Sequence, residues 1–235
     1  MGISTTYRSQ EEEIMDDLEM SGDLLINTLD QIASINKWLG GNRLTLDGLK
    51  KLLINHNKEQ VLKVLDLGCG NGDMLREVAD YGREHGYRFS LVGVDANQAT
   101  IDYAIKLSQD YSEITYLSQD VLSSEFSVLH CDIVLSTLFL HHFDDVVALD
   151  LIQSLVSQAK IGVIVNDLHR HKGAYYLFKL LSLFIKNEMV KTDGAISILR
   201  GFKRADLEQY AAAINYKNTI TWRWAFRYQW IITKI

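Results

Sequence analysis

A chain of 235 residues is long enough to bury a sizeable core and fits one domain with additions. Apolar residues at 47% and charged residues at 23% are ordinary for a soluble globular protein, and a net charge of −6 disfavours a general nucleic-acid or anionic-membrane binder. Cys69 and Cys131 lack metal-ligand spacing, and no leader segment or bilayer-length apolar run is present, so the expectation is a cytoplasmic enzyme without metal, disulfide framework or integral membrane segment.

Residues 1–10 are polar and expected to be frayed, and Glu11 to Glu19 is strongly acidic. From Asp23 to Leu39 the apolar residues Leu25, Leu29, Ile32, Ile35 and Leu39 recur at helical spacing, ended by Gly40-Gly41. A second helix is expected from Thr45, as N-cap, to about Asn55. Together residues 1–58 read as an N-terminal helical cap segment ahead of a domain over 59–235. In that domain strands at 61–67, 88–95, 113–118, 131–136 and 160–166 alternate with helices at 72–85, 97–109 and 144–159. Alternation of this kind predicts an α/β protein with a parallel, doubly wound sheet and right-handed crossovers. The rhythm breaks after residue 166. Residues 173–190 read as one helix, apolar almost all round, within inserted lid helices over 170–202, and a last helix is expected near 203–213. Trp222, Trp224, Phe226, Tyr228 and Trp230 then alternate with Arg223, Ala225, Arg227 and Gln229 at strand period, without a Gly or Asn to mark a turn.

The chemistry concentrates where strands end. Val64-Leu65-Asp66-Leu67-Gly68-Cys69-Gly70-Asn71-Gly72-Asp73 is a buried strand, a glycine loop and the start of a helix. The glycines let a ligand approach backbone closely, and the flanking carboxylates Asp66 and Asp73 suit an amine or sulfonium better than a diphosphate. Asp95, followed by Ala96, closes the next strand where an acid can accept both hydroxyls of a ribose. Asp120 and Val121 close the third. Leu138-Phe139-Leu140-His141-His142-Phe143 follows Thr137 after the strand at 131–136, and Asn166-Asp167-Leu168-His169-Arg170-His171 follows the strand at 160–166. Both loops fall on the ligand-binding edge of an α/β sheet, and a histidine with a pKa near 6.5 can act there as a base.

The glycine stretch resembles motif I of class I methyltransferases that use S-adenosylmethionine (SAM), with the form Val-Leu-Asp-x-Gly-x-Gly-x-Gly. The resemblance spans 61–166 and implies a Rossmann-like seven-stranded sheet of order 3-2-1-4-5-7-6 with its last strand antiparallel. It implies that Asp66, Gly68, Cys69, Gly70, Gly72, Asp95, Ala96, Asp120, Val121 and Thr137 surround SAM, with Asp120 at the adenine amino group and Val121 against the ring. Arg43 is a candidate for the SAM carboxylate. Leu140-His141-His142-Phe143 is similar to a segment of small-molecule methyltransferases, including those acting on quinone precursors, and the stretch from Asn166 to Phe202 resembles methyltransferases found beside type III polyketide synthases. The expected catalytic set is His169 as base, Asp167 orienting it and Arg170 on an anionic or phenolate oxygen, with His141, His142 or the substrate itself as the alternative base. The expected reaction is methylation of an apolar aromatic small molecule, favouring a phenolic or polyketide-type hydroxyl, by a possible homodimer. Carbon methylation of a quinone-precursor-like ring, an NAD-linked oxidoreductase and a non-catalytic SAM-binding protein are the alternatives.

Overall fold

The computed structural model describes residues 3–54, 56–123, 126 and 130–234. Helices α1 (Asp23–Trp38) and α2 (Gly41–Leu53) lead into β1 (Val61–Leu67), α3 (Asp73–His85), β2 (Arg88–Asp95), α4 (Gln98–Leu107), β3 (Ile114–Ser118), β4 (Cys131–Thr137), α5 (Asp145–Gln158) and β5 (Ala159–Leu168). Then come α6 (Lys172–Leu181), α7 (Glu188–Arg200), α8 (Arg204–Ala213), β6 (Lys217–Arg223) and β7 (Arg227–Thr233). The seven strands lie in the order β3-β2-β1-β4-β5-β7-β6, with β7 antiparallel to both its neighbours.

Successive side chains of a strand point to opposite faces, and the central strands bury both. Val64, Leu91, Ile133 and Leu135 pack with Leu49 and Leu53 of α2 and Leu75 and Val78 of α3. Leu65, Leu67, Val92, Val94 and Val134 pack on the other face with Leu151 and Leu155 of α5 and Leu207 of α8. This double burial is why the strands read as continuous apolar runs. It also explains the tail. β7 lies between β5 and β6, so Trp230 is fully buried on one face while Arg227 and Gln229 are buried on the other.

Three expectations need correction. The second helix starts at Gly41, not Thr45; Gly40 takes the left-handed conformation that the break requires, and the Thr45 hydroxyl, buried, meets that of Thr137 at 2.8 Å. The end expected for that helix, Asn55, lies outside the described residues. Residues 173–190 are not one helix: α6 ends at Leu181, a 3-10 turn covers Ser182–Phe184, and α7 begins at Glu188, capped by the Asn187 side chain. One side of this segment, Leu177, Phe178 and Leu181, lines a crevice, and the other, Leu180, Leu183 and Phe184, is exposed. Residues 3–10 are pinned rather than frayed: Arg8 donates to the backbone oxygens of Arg200, His141 and Phe143, and Ser9 N donates to Leu199 O. The tail divides at Trp224–Phe226, where Phe226 takes φ +53. A left-handed aromatic residue makes this turn, so no Gly or Asn announces it. No described helix is long and apolar enough to cross a membrane.

Gly162 on β5 allows β7 to close against it: a Cβ there would lie 2.3 Å from the Ile232 carbonyl oxygen. Gly162→Ala is therefore expected to lower the unfolding free energy by about 1–3 kcal/mol through overpacking. A denaturant titration checks it, and an unchanged midpoint would show that the strands part freely.

Candidate active site

The carboxyl ends of β1, β2, β4 and β5 open into a crevice of about 1000 Å³, roofed by α1, α6, α7 and residues 12–18. Its polar floor comes from the strand ends. Asp66, Gly68, Cys69, Gly70, Asp95, Ala96, Asp120, Val121 and Thr137 all line it, while Gly72 sits just outside as the left-handed residue before α3. Gly68 has φ +61, and a Cβ on it would strike the Phe139 ring at 2.2 Å. Asp95 accepts from the backbone N–H groups of Gly70 and Asn97 at 3.2 and 3.1 Å, which ties the glycine loop to the end of β2. Asp66 is buried with no cation paired to it among the described residues. Burial, and then Asp73 and Asp95, push its pKa well above the ordinary carboxylate value; Asp95 is raised too, chiefly by burial. Two non-glycine residues with positive φ, Leu138 and Phe226, border the same space. Strained backbone of this kind concentrates at functional sites.

At the other end the crevice is walled by a charge network. His141, 2% exposed, sits with Nδ1 2.7 Å from Asp167 Oδ1 and Nε2 3.5 Å from Glu13 Oε1. Against the opposing effect of burial, these two carboxylates raise its pKa to about 9. His142 Nδ1 lies 2.7 Å from Asp16 Oδ1, and Arg200 reaches Asp16 at 2.6 Å and Glu13 at 3.8 Å. Asp193 accepts from the backbone N–H groups of Ile14 and Met15, and Asn97 donates to the Leu18 and Met20 oxygens, so the acidic segment becomes a strap over the crevice. Glu13, His141 and His142 bring ligand-type atoms within 4.8 Å of one another. Arg200 already balances part of that charge, and a cation would have to displace the proton that His141 holds there.

Residues 64–162 match the family model described as "Methyltransferase domain". That stretch is similar to this family. A "Ubiquinone biosynthesis O-methyltransferase" of Rickettsia canadensis is 26% identical over 140 residues, 58% of this chain and 56% of the relative, so the chain matches little more than half of that relative's length. The plantazolicin methyltransferase BpumL, solved with SAH, superposes with a TM-score of 0.63 at 15% identity, covering 90% of this chain and 89% of that one. The magnesium protoporphyrin IX methyltransferase of Synechocystis PCC 6803, solved with SAM, gives 0.57 at 15% identity, covering 94% and 89%. The domain has the class I methyltransferase fold.

Within the crevice and its flanks the expected catalytic set is rearranged. Asp167 is buried against His141, not His169. His169 lies outside the crevice, accepting from Trp222 Nε1 at 3.2 Å; burial and the neighbouring His171 and Arg170 lower its pKa to about 4. Arg170 is buried on the carbonyl oxygens of Gly201 and Thr5 and pairs with Asp206 at 3.1 Å, so its cation holds the chain together behind the site. Arg43 is exposed on α2 and does not line the crevice. Asp167 and His169 are two residues apart and would share a face on a continuous strand, but β5 ends at Leu168, so periodicity alone could not show that Asp167 turns to His141 while His169 leaves the crevice. The strap residues Glu13 and Asp16 and the distant Arg200 and Arg227 were missed; the run of acids from Glu11 to Asp17 was their only visible sign.

His141 gains its proton on folding, since its folded pKa near 9 exceeds the ordinary 6.5. Its stabilising contribution is therefore complete below about pH 6.5 and disappears as pH rises through about 9. Asp167→Asn should remove most of this slope, and melting temperatures between pH 6 and 10 test it; an unaltered slope would place the proton elsewhere.

Proposed function

We propose that this chain is a SAM-dependent methyltransferase acting on an apolar aromatic small molecule, with a phenolic hydroxyl as the favoured acceptor. The observation that carries this reading is the convergence of a glycine loop and the acids Asp66, Asp95 and Asp120 on one crevice whose remaining walls are largely apolar. Asp66, buried and unpaired, suits the amino group of the cofactor; Asp95 suits ribose hydroxyls; Asp120 and Val121 suit adenine. Bound SAM supplies an electrophilic methyl group. The protein's share is alignment of the acceptor, exclusion of water and removal of the acceptor proton. Leu25, Leu29, Phe139, Leu177, Phe178 and Ile198 form the dry wall, and they favour an apolar acceptor.

For the proton, His142 is the better candidate. It lines the crevice, and Asp16 at Nδ1 fixes the tautomer that leaves Nε2 free to accept. His141 already holds a proton between Asp167 and Glu13, and its part is to position the loop. The O-methyltransferase relative favours oxygen as the acceptor atom.

Asp95→Ala should weaken SAM affinity by at least tenfold in calorimetry; equal affinity would take Asp95 out of the site. His142→Ala should lower turnover by roughly 10²-fold with SAM affinity within a few-fold. His169→Ala should leave the rate within about twofold, and a large loss there would restore His169 as base. The reading itself is tested with methyl-labelled SAM and a native cell extract. Label in the organic-soluble fraction supports a small apolar acceptor. Label only in RNA or protein overturns it.

A further inference from the structure

Arg227 is the first residue of β7 and pairs in register with Leu168 at the ligand-bearing end of β5. It is 2% exposed and lines the crevice. Its Nε and Nη1 have no hydrogen-bond partner, and no described carboxylate lies within ion-pair distance of it. Asp167, close in the sheet, is committed to His141 and to the Leu168 N–H. Burial lowers the Arg227 pKa only to about 10, so the guanidinium is charged at neutral pH. A buried, unpaired cation is costly, and a guanidinium fork matches the two oxygens of a carboxylate.

A second feature points to the same ligand. The guanidinium lies against the start of α2: a Cβ on Gly41 would be 3.1 Å from Arg227 Cζ. This 13-residue helix has no side-chain N-cap bond, so its first N–H groups add positive partial charge there. Asn36 Oδ1, also without a partner, borders the position but is a neutral acceptor and leaves the charge uncompensated. From this end Asn36 donates to Asn42, and Asn42 donates to Asp73 beside the glycine loop. Arg227 is thus a buried guanidinium of the crevice with no carboxylate paired to it among the described residues.

We propose that Arg227 and the first turn of α2 form a carboxylate-binding subsite of the crevice. On the methyltransferase reading, on which this assignment of the ligand rests, two carboxylates can reach it: that of the methionine part of SAM, or one carried by the acceptor.

The test compares wild-type protein with Arg227→Met and Arg227→Lys by calorimetry against S-adenosylhomocysteine, 5′-methylthioadenosine, which lacks the amino-acid end, and, on the S-adenosylhomocysteine complex, benzoate. The expected result is at least a 30-fold loss of S-adenosylhomocysteine affinity in Arg227→Met, smaller in Arg227→Lys, with methylthioadenosine unchanged within twofold. That assigns the cofactor carboxylate. Unchanged S-adenosylhomocysteine affinity with benzoate binding lost in Arg227→Met assigns the acceptor carboxylate. If neither ligand responds to Arg227, the subsite is overturned. If wild-type protein binds neither adenosine compound, the SAM reading fails first. The ligand-free melting temperature guards against a misfolded variant: removing an unpaired buried charge should leave it equal or higher, whereas a fall would mark Arg227 as a structural residue and overturn the proposal.

Discussion

The bond between His141 and Asp167 joins the parts on which the crevice depends. It links the loop after β4 to the end of β5, neighbouring strands paired as far as Thr137 and Asn166 whose ends border the space. Through the far nitrogen of the same ring the link extends to Glu13, and through Glu13 and Asp16 to Arg200 on α7. Sheet edge, strap and roof are therefore held by one buried set of alternating charges. Such a set is of modest net value when complete and costly when broken, so its contribution lies in fixing one arrangement rather than in raising stability.

The crevice has two electrostatic regimes. At the His141 end Glu13, Asp16 and Asp167 each face His141 or Arg200. Asp66 beside the glycine loop and Arg227 at the end of β7 are buried without such partners. Balanced charges hold walls in place; unbalanced ones define what must come in. Between them the apolar side chains of α1, α6 and α7 keep water out, and this makes both sets of interactions stronger than they would be at a surface.

The sequence made most of the sheet legible because its strands are short, doubly buried and bounded by glycine or helix signals. β1 and β2 fall at Val61–Leu67 and Arg88–Asp95 as the apolar runs predict. The strand-end acids were also visible, since parallel topology places every such end on one edge. What could not be read were contacts across that edge. Nothing in Asn166-Asp167-Leu168-His169 says which side chain turns inward, and nothing in the polar first ten residues says that Arg8 will bridge three backbone oxygens. Arg227 was hidden for a related reason: in an alternating aromatic strand its face reads as solvent-exposed until a further strand and α2 cover it.

The strap has a consequence for where the working unit begins. Residues 8–18 add no strand and almost no regular structure, and by composition they would be trimmed as a dispensable tail. Yet they supply Glu13, Asp16 and a length of wall, and Arg8 fastens them to the loop that carries both histidines. A chain shortened to Asp23 would keep every element of its sheet and lose one side of its reaction chamber. Folding competence and chemical competence thus have different boundaries along this polypeptide.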